Sequence, residues 1–295
     1  MSTTTPSARL SDRLVDDAAL FPPVEAPVDQ AWHEHVARRQ TTWGACVGPL
    51  LVAPAHTELL ATVARADPPA WPVATVLVAR PGIPLAEVDE AVAVLEAVPA
   101  VRIVGFEVGH GPDWRDALLW QLPLAVEVGR DPADRDRGLD DIAQARTEGQ
   151  PVVAKLRTQT TADRPLPTPE ELAGFVLACA TRQVPFKLTG GLHHGVAGDV
   201  LLPDGTTEWQ HGVVNVMAAT HAAGQGAGHD HLVARLRQED GPGLAADVLA
   251  LTDEETDRLR EAFTAFGCCD VFDPLRDLAG LGLLTPDPAH QEETV

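Results

Sequence analysis

The chain has 295 residues, is 45% hydrophobic and carries a formal net charge of -21. The apolar content supports a sizeable core and argues against disorder, and the charge argues against nucleic acid or an anionic membrane as partner, since both repel such a surface. The length suits one α/β barrel, which takes about 250 residues.

From the N-terminus, residues 1–20 show no apolar leader, and no stretch approaches the roughly 20 apolar residues that a membrane span needs. Residues 1–40 read as an N-terminal extension with a helix packed on the barrel. Within it Asp16-Asp17, just before Ala18-Ala19-Leu20-Phe21-Pro22-Pro23, is expected to close the barrel bottom or cap a helix. Strands are then predicted at 45–53, 73–80, 101–108, 122–128, 151–157 and 184–189. Helices are predicted between them at 56–66, 85–98, 113–121, 134–147 and 169–182, an alternation that signals parallel βαβ units. The helix after Arg157 has a clean start in Thr168-Pro169-Glu170-Glu171, with an N-cap, a proline at the first helical position and early acids.

The last third is less regular. Residues 201–210 read as a loop or hairpin around the turn signal Pro203-Asp204-Gly205, followed by an apolar helix at 213–223 and a flexible Gly-rich stretch at 224–230. His229-Asp230-His231 reads as solvated loop. A helix at 231–238, a weak strand at 247–251, a helix capped by Thr252-Asp253-Glu254-Glu255, a last strand at 265–271 and a closing helix at 274–283 complete the pattern. The expected architecture is therefore a single-domain (β/α)8 TIM-type barrel over residues 41–285, with an irregular seventh unit and a disordered tail at 286–295.

Cysteines 46, 179, 268 and 269 match neither a disulfide framework nor a CxxC metal motif. They point to a reducing, cytoplasmic setting in which thiols pack as small hydrophobes. Cys268-Cys269 has no basic neighbour in the sequence, so a reactive thiolate is not expected there.

The chain has 20 arginines but only two lysines. Where a cation is merely solvated the two residues are interchangeable, so the lysines that survive mark positions where a nitrogen must be able to lose its proton; arginine is always charged. Both fall on predicted strands. Lys155 lies in Val152-Val153-Ala154-Lys155-Leu156-Arg157, and Lys187 in Val184-Pro185-Phe186-Lys187-Leu188-Thr189. Glu107 and Glu127 close two earlier strands. In a barrel such positions face the active end. Two neighbouring amines behind apolar residues should depress at least one lysine pKa and leave a nucleophile able to form a Schiff base, with Glu107 or Glu127 moving protons. The plainer reading is a pair of buried ion pairs between the lysines and these glutamates.

The segment from Lys155-Leu156-Arg157-Thr158 to Lys187-Leu188-Thr189-Gly190-Gly191-Leu192 resembles the two-lysine region of Schiff-base aldolases of the deoxyribose-phosphate aldolase type. The resemblance covers about residues 152–194. It implies a (β/α)8 barrel in which Lys155 is the nucleophile, Lys187 lowers its pKa, and the Gly190-Gly191 backbone offers N–H groups to a phosphate or other anion. Arg157, Thr189, His193, His194 and Asn215 are the further candidate substrate contacts. Three features depart from the family pattern. Leu156-Arg157 stands where glycine and a small hydroxyl are expected, His193-His194 replaces a phosphate-favouring arginine, and the lysines fall on predicted strands five and six, one earlier than in the family.

The expected function is a lyase, aldolase-like, that forms a lysine Schiff base with a small oxo compound and needs no cofactor. One alternative is a metal-dependent isomerase, lyase or hydrolase, in which His193 or His194 joins His211 and the glutamates around a divalent ion. A non-catalytic small-molecule-binding barrel is another. The expected partner is a small molecule, and self-association into a homo-oligomer is left open.

Overall fold

The computed structural model describes residues 8–161, 164–202 and 205–287. A short helix α1 (Ala8–Ser11) leads into β1 (Val15–Asp17) and α2 (Val28–Arg38). Regular alternation follows: β2 (Val47–Val52), α3 (Thr57–Ala66), β3 (Val73–Val78), α4 (Leu85–Glu96) and β4 (Val101–Gly109). A 3-10 segment (Trp114–Trp120) then precedes β5 (Leu124–Glu127), α5 (Pro132–Thr147), β6 (Val152–Arg157), α6 (Pro169–Arg182) and β7 (Phe186–Thr189). Next come a hairpin, β8 (Gly198–Leu201) with β9 (Thr207–Gln210), and four helices, α7 (Val213–Gly224), α8 (His229–Leu236), α9 (Gly241–Leu249) and α10 (Asp253–Ala262). The chain closes with β10 (Phe263–Cys268) and α11 (Phe272–Gly280).

Eight of these strands form a closed parallel barrel in the order β1-β10-β7-β6-β5-β4-β3-β2. The fold is a (β/α)8 TIM-type barrel, as the alternation predicts. Two corrections change its composition. The weak strand expected at 247–251 is the end of α9 and its exit, and the missing stave is β1, inside the segment read as an extension. The barrel thus begins at Val15 rather than at residue 41. Three residues are too few to show a period, and the two acids disguised them. The helix expected at 113–121 is a 3-10 segment, Trp114–Trp120, rather than an α-helix, and His229-Asp230-His231 opens α8 instead of lying in a loop. The turn residues Pro203 and Asp204, and most of the expected tail, lie outside the described residues.

Side chains alternate across each stave with period two. Val152, Ala154 and Leu156 of β6, Leu124 and Val126 of β5, and Phe186 and Leu188 of β7 face the helical layer and are almost fully buried in the main apolar cluster. Their alternates point into the barrel. There Ala18, Leu51, Val76 and Val78 form a small apolar cluster of their own on the β1–β3 side. The β4–β7 side of the interior is ionic. Among the described residues no helix is long and apolar enough to cross a membrane.

Helix α6 begins as its sequence predicts, with Thr168 and Glu171 forming a reciprocal capping box, and α10 does the same with Thr252 and Glu255. Outside the barrel, Asp17 of β1 is tied to α2 by His35 Nδ1 and Arg38, each at 3.0 Å. Asp17 therefore anchors a helix while its neighbour Asp16 faces inward.

Candidate active site

Parallel pairing sets Lys155 directly beside Lys187 and Glu127 directly beside Lys155. Glu107 enters from β4 and bridges the two amines: its Oε2 lies 2.7 Å from Lys155 Nζ, and its Oε1 accepts a hydrogen bond from Lys187 Nζ. Lys155 also contacts Glu127 at 3.0 Å, and Lys187 donates to Asp16 Oδ2 at 2.5 Å. Glu127 is in turn held by a fork from Arg157, with Nε at 2.9 Å and Nη2 at 3.1 Å. Glu107 is 1% exposed, Lys155 2%, Asp16 4% and Lys187 6%, so this chain of charges is dry and cannot borrow its stability from water.

The electrostatics follow from burial and contact. Burial alone would raise Glu107, but Lys155 and Lys187 outweigh it and hold the carboxyl at about 2. Burial would likewise strip Lys187 of its proton, yet Asp16 and Glu107 keep it charged well above the ordinary lysine range. The expected depression of a lysine pKa thus fails for Lys187, because its nearest neighbours are carboxylates rather than the second amine. Burial is the largest influence on Asp16 and pushes it upward, against the pull of Lys187 and with the help of Glu107. Of the three carboxylates on the two amines it is the one most readily protonated. Glu127 is drawn down by Lys155 and Arg157 against its burial.

Above the ion cluster lies a small cavity of about 30 Å³, lined by Lys155, Glu107, Arg157, Thr189, Gly190 and His193 and roofed by Phe21, Pro22 and Pro23. That is room for roughly two waters. Lys187 is not on its wall, so Lys155 is the amine that a ligand would meet. Arg80, Gln159 and Cys269 also reach this cavity. A larger cleft of about 420 Å³ shares Arg157 and Gln159 and continues outward past Arg130 and Arg164. Arg130 is paired with Glu171 and Arg164 with Asp131. Arg80 instead lays its guanidinium 5.1 Å from the Phe21 ring, and among the described residues it makes no salt bridge. Burial and then the charge of Arg157 lower its pKa.

The predicted site residues divide. Lys155, Lys187, Glu107, Glu127, Arg157, Thr189, Gly190 and His193 come together at the barrel mouth. Gly190 and Gly191 both take positive φ in a turn closed against residues 158–159; a Cβ on Gly191 would sit 2.3 Å from the Thr158 carbonyl oxygen. The Gly190 N–H already donates to Gly267 O at 3.0 Å and is not available to an anion, contrary to expectation. Asn215 is not a substrate contact: it is fully buried, accepts from Ala197 N and donates to Arg235 O and Gln238 O, tying α7 to its surroundings.

The expected histidine metal set is not assembled. His194 faces Asp277 at 3.5 Å, and His211 is buried with Nε2 2.7 Å from Pro167 O. His193 reaches Cys268 and Cys269 instead. Among the described residues no three His, Cys, Asp or Glu side chains are grouped to hold a metal ion. The expectation that Cys268-Cys269 lacks a basic neighbour is also corrected, since His193 comes in from the loop after β7.

Sequence reasoning missed Asp16, Arg80, Gln159 and Cys269. For Asp16 the only local signal was an acid pair ahead of an apolar run, which equally suits a helix cap. No protein-family model matches the chain, and no curated protein does.

Proposed function

We propose that the chain is a lyase-type enzyme in which Lys155 forms a Schiff base with a small, anionic oxo compound. The observation that carries this reading is the bridge of Glu107 between two buried amines, of which only Lys155 opens to the cavity. Lys187 is the fixed cation of the pair, kept charged by Asp16 and Glu107 and turned away from the cavity. Glu127, which touches Lys155, is placed to take the proton that the amine sheds. The amine then adds to the carbonyl carbon, the resulting hydroxyl leaves as water after gaining a proton, and the iminium accepts the electron pair of the bond that breaks.

Counting the barrel from β1 moves the lysines to the sixth and seventh staves. This removes one departure from the two-lysine aldolase pattern and supports the resemblance. Arg80 and Arg157 give the substrate its sign. In a protein of net charge -21, an arginine that makes no salt bridge among the described residues and faces another guanidinium across a cavity suits a carboxylate or phosphate on the ligand.

A second reading, a binding barrel that does no chemistry, is favoured by the saturation of both lysines with carboxylates. Reductive trapping separates the two. The full-length protein is incubated with glyoxylate, pyruvate, glycolaldehyde or acetaldehyde and sodium borohydride, then analysed by intact mass and peptide mapping. The enzyme reading expects a reduced adduct on Lys155. Absence of any lysine adduct across the panel favours the binding barrel.

A further inference from the structure

The Lys155 reading leaves unused a second reactive group on the same cavity. Cys269 follows the last residue of β10 at the open end of the barrel, is 7% exposed, and lines the cavity that Lys155 lines. Its Sγ lies 3.5 Å from His193 Nε2, and the other ring nitrogen, Nδ1, lies 3.5 Å from Asp273 Oδ2. A carboxylate facing Nδ1 fixes a proton there and leaves Nε2 to face the sulfur, which is the order of groups that activates a thiol. Separations of this size at rest close up when a ligand binds.

The neighbouring thiol is set apart by its contacts. Cys268 Sγ also lies 3.5 Å from the ring, at Nδ1 on the Asp273 side, but it donates to Asp270 O at 3.0 Å, which commits its proton, and burial pushes that thiol upward. Asp273, with the two sulfurs, pushes the His193 imidazole up to about 12. An imidazole that holds its proton so firmly stabilises a thiolate beside it. Lys155 is an amine nucleophile on one wall, and Cys269 a sulfur nucleophile on another.

We infer that Asp273, His193 and Cys269 form a second nucleophilic centre that captures a small aldehyde in the Lys155 cavity as a hemithioacetal. With the proton already on His193 Nε2, the Cys269 sulfur bonds as thiolate to the carbonyl carbon, and the C=O π pair moves to oxygen, which takes the proton from the His193 imidazolium. Nothing is oxidised and no group leaves. The aldehyde as ligand rests on the Lys155 reading, whereas the activation of the thiol does not.

The test uses the full-length protein and iodoacetamide at pH 6 to 9, with each cysteine followed by peptide mass mapping. Cys269 should alkylate at least about tenfold faster than Cys46, Cys179 and Cys268, and should keep that rate below pH 7, where an ordinary thiol of pKa near 8.5 has lost most of its reactivity. His193→Ala should slow it by about tenfold and restore the ordinary profile. Cys179, in the helical layer, reports unfolding if it becomes labelled, and the wild-type pH profile decides the question even if the variant does not fold. Alkylation of Cys269 no faster than Cys268, or an ordinary wild-type profile, overturns the proposal. In a second arm, acetaldehyde should protect Cys269 in Lys155→Met as it does in the wild type. Protection that is absent, or that vanishes with the lysine, refutes the hemithioacetal while leaving the lysine trapping result standing.

Discussion

Asp16 and Lys187 are 171 positions apart in the chain, and their charged ends meet at 2.5 Å inside the barrel. The first stave exists to deliver that carboxylate. Replacing it in Asp16→Asn keeps the shape but leaves Lys187 paired, among the described residues, with Glu107 alone. Loss of one partner from a buried ion pair costs about 3 kcal/mol, and the Lys187 pKa should fall with it. Urea unfolding at pH 7 reads the stability, and a loss below about 0.5 kcal/mol would place Asp16 among groups that contribute nothing special.

Lys155→Arg separates charge from chemistry. The guanidinium preserves a cation between Glu107 and Glu127 but is always protonated and cannot form a Schiff base. The variant should stay folded and lose its borohydride adduct with every carbonyl in the panel. An adduct that persists on Lys187 would transfer the nucleophile's role to that residue.

Gly48 on β2 makes room for Asp16, since a Cβ there would lie 2.1 Å from Asp16 Oδ1. Gly48→Ala should therefore displace the carboxylate and destabilise the fold by about 1–3 kcal/mol, the usual range for overpacking. Its denaturation midpoint should fall in step with that of Asp16→Asn, and the double variant should lose less than the sum of the two.

Arg80→Ala should weaken trapping of glyoxylate and pyruvate by about tenfold, as expected for one lost charge-assisted hydrogen bond, and leave acetaldehyde trapping unchanged. Equal losses for charged and neutral carbonyls would mean that Arg80 shapes the cavity and does not recognise an anion.

His211 gives the fold a pH dependence. Burial lowers its pKa from 6.5 to about 4, so the unfolded chain binds the proton more tightly than the folded one. Its contribution is complete above pH 6.5 and is lost as the pH falls toward 4, amounting to about 3 kcal/mol. His193 acts with the opposite sign and in a separate window, since its raised value favours the folded state below pH 6.5 and that benefit fades as the pH rises toward 12. His211→Asn should flatten the stability curve between pH 6.5 and 4 and leave its alkaline limb unchanged, as measured by urea midpoints.

Several features are decided by sequence alone. The alternation of apolar strands with capped helices requires a parallel sheet covered on both faces, and the scarcity of lysine singles out Lys155 and Lys187 before any coordinate is known. Glu107 and Glu127 are legible for the same reason: in a strand with period two, one residue among apolar alternates has to face the other side. These are local properties, written in neighbouring residues. Only the tertiary structure decides which charges neutralise which. A strand as short as Val15–Asp17 has no periodicity to read, and the contacts of Asp16 with Lys187 and of His193 with Cys269 join segments with no pattern in common. Barrel closure brings those segments together, and ionic partners are selected by distance in space.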